Sequence, residues 1–215
     1  MRRSEIGVLA LTSVLAGCGV ALAQEPPPKI GPFVADLHLT VPKFGQDANL
    51  ARSRSLVLAE LPGSGIGGTV GAHIYFARLG PLTLGIGGQA TVGRSRSTGV
   101  SSGDQSTRAV TEVFKSASPQ VSLNFGNGNG WSYLSVGVGR SHWSVVPDGA
   151  DRFPADDEIL STIDYGGGAR WFAKKHLAFS LDVRLHEIKN GAPQGNLPGS
   201  PHTLLLIIGA GISVK

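Results

Sequence analysis

Residues 177–186 read LAFSLDVRLH, and every second side chain in this stretch is apolar. Leu177, Phe179 and Leu181 fall on one face of an extended chain, whereas Asp182 and Arg184 fall on the other. A period of two residues is the main sequence signal of a β-strand with two different faces. The stretch therefore predicts a strand that is apolar on one side and polar on the other.

The same alternation recurs along most of the chain after its first thirty residues. It predicts about eight strands, the smallest number found in membrane barrels. The predicted strands cover residues 33–41, 69–76, 82–93, 116–125, 133–139, 162–171, 177–186 and 206–215. We expect an all-β fold, an eight-stranded antiparallel up-and-down transmembrane β-barrel.

The connections between these strands are of two kinds. Three are short, at residues 78–81, 126–130 and 173–175, and they join strands in consecutive pairs. The others are long and rich in Gly, Ser, Pro, Asn and Asp, at residues 44–65, 97–111, 147–158 and 190–201. Short periplasmic turns and long outer loops are typical of outer-membrane barrels.

Two local features lie within this pattern. Residues 56–61, LVLAEL, interrupt the first long loop and are compatible with a short helix or an extra strand segment. Pro119 falls in the middle of the fourth predicted strand, where it cannot donate a ladder hydrogen bond, and it predicts a β-bulge there.

Composition excludes several classes of protein. Only 16% of the residues are charged, and the basic residues are scattered without a stripe of interleaved aromatics, which argues against nucleic-acid binding. The only cysteine is Cys18, so the domain beyond it has no disulfide. The longest late apolar run, residues 204–212, is too short to span a bilayer as a helix.

The first thirty residues predict export. A short basic head, an apolar run and Ala21-Leu22-Ala23 are typical of a signal peptide covering residues 1–23. A competing site exists, because residues 15–18 resemble a lipobox in which Cys18 would be lipidated. Residues 24–30 form a Pro-rich tether, and residues 31–215 form the predicted barrel.

The polar face of the strands is mostly Gly, Ser, Thr, Asn and Gln, which suits the narrow lumen of a small barrel. The apolar face would then meet lipid; a soluble lipocalin-like carrier, with the apolar face inward, is the alternative. Aromatic residues near the short turns predict an interfacial girdle. Its predicted members are Phe33, Tyr75, Phe76, Phe125, Trp131, Tyr133, Trp171 and Phe172.

Several charged residues fall on the predicted lumen face. They are Asp36, Asp164, Arg170, Asp182 and Arg184. Charges that are buried together must pair to offset desolvation, so we expect an internal network of ion pairs that plugs the barrel. We therefore expect no open pore. The alternative hypothesis is a proton or ion path along the network.

Three stretches carry a family resemblance: GPFVAD at residues 31–36, PQVSLNFG at residues 119–126 and GGGARWF at residues 166–172. With the strand pattern, they make the chain resemble the OmpA/OmpX-like superfamily of small outer-membrane β-barrels. The resemblance implies a monomer in the bacterial outer membrane with a structural or surface-interaction role. It implies lipid, lipopolysaccharide and the barrel-assembly machinery as partners, with no cofactor and no metal.

His142-Trp143-Ser144 is similar to the His-x-Ser of the outer-membrane lipid A deacylases. That similarity implies an alternative function, with Ser144 as nucleophile, His142 as base and Asp157 or Glu158 as the orienting carboxylate. Val145 stands where those enzymes generally carry asparagine.

Overall fold

The computed structural model describes residues 29–99, 101–102 and 105–215. The predicted signal peptide, Cys18 and most of the Pro-rich tether lie outside the described residues. Within the described part of the chain, no helix is long and apolar enough to cross a bilayer.

Ten strands and three short helical segments make up the described structure. The strands are β1 (Phe33–Lys43), β2 (Ile66–Leu79), β3 (Leu82–Arg96), β4 (Ser101–Ser102), β5 (Gln105–Ser106), β6 (Val110–Asn127), β7 (Gly130–Pro147), β8 (Ile159–Phe172), β9 (Leu177–Ile188) and β10 (Thr203–Val214). The helix α1 covers Ala48–Ser53, and 3₁₀ turns cover Leu58–Glu60 and Pro154–Asp156.

Eight of these strands close into one antiparallel barrel, in the order β1-β10-β9-β8-β7-β6-β3-β2. The closing contact pairs β1 with β10, for example Leu37 with Ile212. The strands β4 and β5 form a separate two-stranded hairpin in the second long loop. The predicted eight-stranded up-and-down barrel is confirmed.

The long connections lie together at one end of the barrel. We name them L1 (residues 44–65), L2 (97–109), L3 (148–158) and L4 (189–202), and we call this the outer end. The open choice within L1 is resolved in favour of helical structure, a 3₁₀ turn at Leu58–Glu60 that follows α1. Asp47 caps α1 by accepting a hydrogen bond from the backbone N–H of Asn49 at 2.6 Å.

Burial alternates along most of the length of the strands. Leu39, Val138 and Phe179 on the outward face are 76%, 66% and 67% exposed, whereas Asp182 and Arg184 on the inward face are buried. An apolar outward face with a polar inward face is the arrangement of a membrane barrel. The alternative of a soluble carrier is wrong for this structure, because its apolar residues would have to face inward.

The predicted bulge at Pro119 is also wrong. Pro119 pairs with Gly88 of β3 without any change of register, and the pairs on either side of it keep one register with β7. Pro119 instead interrupts the β6–β7 ladder, which has no residue pairs between Ala117–Arg140 and Gln120–Gly137. The bulge lies in β2 between Tyr75 and Ala77.

Candidate functional site

The lower half of the interior, toward the short turns, holds a buried ion pair. Arg170 of β8 donates from Nε to Oδ1 of Asp36 at 2.9 Å and from Nη2 to Oδ2 at 2.6 Å. Ser213 of β10 donates a further hydrogen bond to the same carboxylate. This two-bond geometry holds the guanidinium and the carboxylate in one plane, which is the strongest form of such a pair.

A second group of charges lies one layer further out, around Arg184 of β9. Its Nη1 donates to Asp164 at 2.9 Å, and its Nη2 donates to Ser135 at 2.6 Å and to Asp182 at 3.3 Å. Tyr133 donates its hydroxyl proton to Asp182 at 2.6 Å. The structure thus brings together all five predicted lumen charges in two adjacent clusters.

Three histidines line the same interior, and sequence reasoning did not single them out. His38 lies 2.7 Å from Ser180 through its Nε2. Both ring nitrogens of His73 and of His186 are buried without a hydrogen-bond partner among the described residues. His186 packs edge-on against Phe114, with 5.1 Å between the ring centres.

Half of the predicted aromatic girdle turns inward instead. Trp131 stacks on Phe172 with 5.0 Å between ring centres and contacts Tyr75 edge-on at 5.9 Å. The guanidinium carbon of Arg170 lies 4.0 Å above the ring of Tyr133. These four aromatics lie inside the lumen near the short turns, so the girdle prediction is wrong for them.

The reason is the parity of the strands, because successive side chains point to opposite faces. Height along the barrel alone does not decide whether an aromatic residue meets lipid. The remaining predicted members keep an exposed outward position, with exposures between 40% and 61%: Phe33, Phe76, Phe125 and Trp171.

The outer half of the interior is apolar, because L1 folds down into the mouth of the barrel. Leu50 of α1 is fully buried, and Leu56 and Leu61 of the same loop are buried beside it. They pack with inward side chains of the barrel in one cluster, which we name the outer plug. Its barrel members are Val110, Phe114, Trp143, Val145, Leu160, Ile188, Leu205 and Ile207.

One polar group is embedded in this plug. Glu112 of β6 has no exposed surface and accepts a hydrogen bond from the indole N–H of Trp143 at 2.7 Å. Its second carboxylate oxygen has no partner among the described residues. Neither residue was identified from sequence as part of the interior.

A buried ion pair ties the loops together above the plug. Arg54 of L1 donates from Nε to Oδ1 of Asp156 in L3 at 3.0 Å, and from Nη2 to Ser200 of L4 at 3.0 Å. Asp156 also accepts hydrogen bonds from the backbone N–H groups of Val145 and Phe153. Three of the four outer loops therefore meet at one guanidinium.

L2 is attached to L1 through Glu60. The carboxylate of Glu60 accepts hydrogen bonds from the backbone N–H of Arg108 at 2.8 Å and from that of Val57 at 2.9 Å. Burial alone would raise the pKa of Glu60, but these bonds and the Arg108 guanidinium bring the pKa below its ordinary value. Glu60 is therefore held as a carboxylate.

The residues of the predicted deacylase relay are not joined. Ser144 is only 2% exposed, and Nδ1 of His142 is buried without a hydrogen-bond partner among the described residues. Glu158 accepts the backbone N–H of Ala192 at 2.8 Å, and Asp157 pairs with Arg152 at 2.9 Å. Both candidate carboxylates are thus engaged elsewhere, and this arrangement does not form a nucleophile–base–carboxylate chain.

No cluster of three metal-ligating side chains occurs in the part of the chain that was described. No family model matches the sequence, and no curated protein matches it either.

Solved structures do match in fold. The chain is similar to Neisserial surface protein A, with a TM-score of 0.53 and 15% identity over 86% of this chain and 97% of that one. It is also similar to the outer membrane enzyme PagL, with a TM-score of 0.47 and 12% identity over 85% of this chain and 99% of that one. The attachment invasion locus protein Ail of Yersinia pestis has a TM-score of 0.45 and 13% identity over 86% of this chain and 99% of that one.

The chain therefore has the fold of the small eight-stranded outer-membrane β-barrels. Its apolar outward face matches a location in the bacterial outer membrane.

Proposed function

We propose that this protein is a non-conducting outer-membrane barrel whose four outer loops form one preassembled contact surface, with a structural or surface-interaction role. The observation that carries the proposal is the filled interior. The two ion-pair clusters occupy the lower half, and the outer plug occupies the upper half. A barrel of eight strands has an interior just wide enough for its own side chains.

The loop connections support the interaction role. Arg54 and Glu60 link L1 to L2, L3 and L4, so the outer surface is a single folded unit rather than four independent loops. A surface that is ordered before binding loses less conformational entropy when it meets a partner. Exposed charges of both signs lie on this surface, including Arg152 and Asp157 of L3.

The remaining partners follow from the location. We propose that the barrel is a monomer that reaches the membrane through the barrel-assembly machinery and has lipid and lipopolysaccharide as its neighbours.

The proposal is tested first by orientation in the membrane. An amine reagent that cannot cross membranes is added to intact cells, and the labelled lysines are mapped by peptide mass spectrometry. We expect label at the exposed outer residues Lys43 and Lys189, and label at Lys174 and Lys175 only after the outer membrane is permeabilised. The barrel should also fractionate with the outer membrane and migrate faster on a gel when it is not boiled. Label at Lys174 and Lys175 in intact cells would overturn the orientation.

A further inference from the structure

Three basic residues lie on neighbouring strands of the outward face near the outer end. They are Arg94 of β3, Lys115 of β6 and Arg140 of β7, and all three are exposed. Lys115 pairs with Val92 of β3, two residues from Arg94. On its other side it pairs with His142 of β7, two residues from Arg140. Diagonal neighbours of this kind are about 7 to 8 Å apart. The three side chains therefore form one basic cluster, which we name the cationic ridge.

The cationic ridge has no protein counter-charge. Within the described residues, none of its three side chains forms an ion pair, a hydrogen bond or a contact with an aromatic face. Arg96, the next outward residue of β3, differs because it pairs with Asp148. Like charges on neighbouring strands repel each other, so an anion that approaches from outside the protein would stabilise the ridge.

The ridge marks the upper boundary of the apolar surface. The next outward residues toward the periplasm are Val92, Ala117 and Val138, and Val92 and Val138 are 54% and 66% exposed. The three cations thus lie where lipid head groups begin, at the end of the barrel that carries the long loops. By contrast, the outward residues of β1, β8 and β10 carry no charge. Lys43, at the end of β1, is the exception.

An apolar groove begins directly below the ridge on the same strands. A depression of about 700 Å³ is lined by Ala72, Ile86, Pro119, Val121, Val136 and Val138. A second depression of about 370 Å³ shares Val121 and Val136 and continues toward the periplasmic end, as far as Phe76 and Leu84. The small outward residues Ala72 and Pro119 account for the hollow, because larger side chains such as Ile74, Ile86 and Val138 flank them.

We propose that the cationic ridge and this groove form a binding site for the lipid A part of lipopolysaccharide. Arg94, Lys115 and Arg140 bind its phosphates, and the groove holds an acyl chain. Guanidinium groups form short, charge-assisted hydrogen bonds to phosphate, and basic pockets beside apolar surface are typical of anionic-lipid recognition. Lipopolysaccharide combines phosphates with several acyl chains in the outer leaflet. The inference rests on the orientation proposed above, which places the ridge in that leaflet.

The first test removes the charge. The triple variant Arg94→Gln, Lys115→Gln, Arg140→Gln is compared with a matched triple variant, Lys43→Gln, Arg52→Gln, Lys189→Gln, which removes the same charge from the outer end elsewhere. Each protein is purified in mild detergent, and binding of bisphosphorylated lipid A is measured by native mass spectrometry. We expect the ridge variant to lose at least roughly tenfold in affinity and the matched variant to lose less than about twofold.

The second test fills the groove. Ala72→Trp places a large side chain in the groove, and Ala210→Trp places the same side chain on the outward face of β10, outside it. We expect only Ala72→Trp to weaken lipid A binding. All variants are first shown to fractionate with the outer membrane and to shift on heating, so failure of the barrel itself is recognised separately.

Two outcomes would overturn the proposal. Equal loss of lipid A in the ridge variant and the matched variant would show that only net charge matters. Binding of phosphatidylglycerol with the same affinity, and with the same dependence on the ridge, would assign the site to phospholipid rather than lipid A.

Discussion

Arg54 in L1 and Asp156 in L3 are 102 positions apart in sequence, yet Nε of Arg54 lies 3.0 Å from Oδ1 of Asp156 with both side chains fully buried. The pair joins two loops over the outer plug. A carboxylate without its partner in such a place would be left desolvated, so the contact decides whether the outer surface stays folded.

Replacing Arg54 by Met should release the outer cap. Leaving one charge of a buried pair uncompensated costs about 3 to 5 kcal/mol, and the cost should appear as faster hydrogen exchange at residues 47–56. The control is Arg152→Met, which breaks the exposed pair with Asp157 and should cost less than about 1 kcal/mol. Unchanged exchange in the Arg54 variant would show that the pair does not hold L1 in place.

The attachment of L2 to L1 should weaken in acid. Because the pKa of Glu60 is lowered below its ordinary value of 4.5 in the folded protein, its contribution to stability is complete above that value. The contribution is lost as the pH falls through the lowered pKa and the carboxylate gains a proton. Hydrogen exchange at residues 97–99 and 106–109, corrected for the intrinsic rate, should therefore rise in this acid range.

The variant Glu60→Gln supplies the control for this pH effect. It should show fast exchange in the same residues at neutral pH and little further change in acid. If wild type and variant respond to acid alike, another group controls the contact between L1 and L2.

Single-tryptophan variants should separate the two faces of the barrel. The chain has three tryptophans, of which Trp171 is 53% exposed on the outward face, whereas Trp131 and Trp143 are 3% and 2% exposed. In vesicles of brominated lipid, the variant that keeps only Trp171 should be strongly quenched. Variants that keep only Trp131 or only Trp143 should retain most of their fluorescence. Strong quenching of Trp131 would show that this side chain contacts lipid, as the girdle prediction requires.

Expression of the protein should leave lipid A intact. Ser144 is buried, and Glu158 is bound to the backbone of Ala192, so no base and carboxylate are arranged to activate the serine. The measurement is mass spectrometry of lipid A from cells that express wild type or Ser144→Ala. Loss of an acyl chain in wild type but not in the variant would establish the hydrolase instead.

The barrel itself could be predicted from sequence because alternation is a local signal. Residues 177–186 show both faces of β9 within ten positions, and Asp182 and Arg184 lie inside the barrel as their parity requires. Tyr133 is an example of a residue whose predicted position was wrong because its parity in the strand was not considered. It shares parity with Ser135 and points inward, although its height along the barrel had assigned it to the girdle.

The outer end could not be predicted in the same way. Leu50, Leu56 and Leu61 follow no strand or helix period that would mark them as core, and their partners come from distant strands. The contacts of Arg54 with Asp156 and Ser200 span 102 and 146 positions. Only the three-dimensional path of L1 brings these residues together, so local sequence patterns contain no signal for the outer plug.

The most direct test of the filled barrel is electrical conductance. The purified protein is reconstituted into planar lipid bilayers in concentrated salt, and insertion is verified independently by the heat-dependent shift on a gel. We predict no stepwise conductance, because the two ion-pair clusters and the outer plug occupy the interior of the barrel. Stable, uniform conductance steps from the correctly folded barrel would contradict this account.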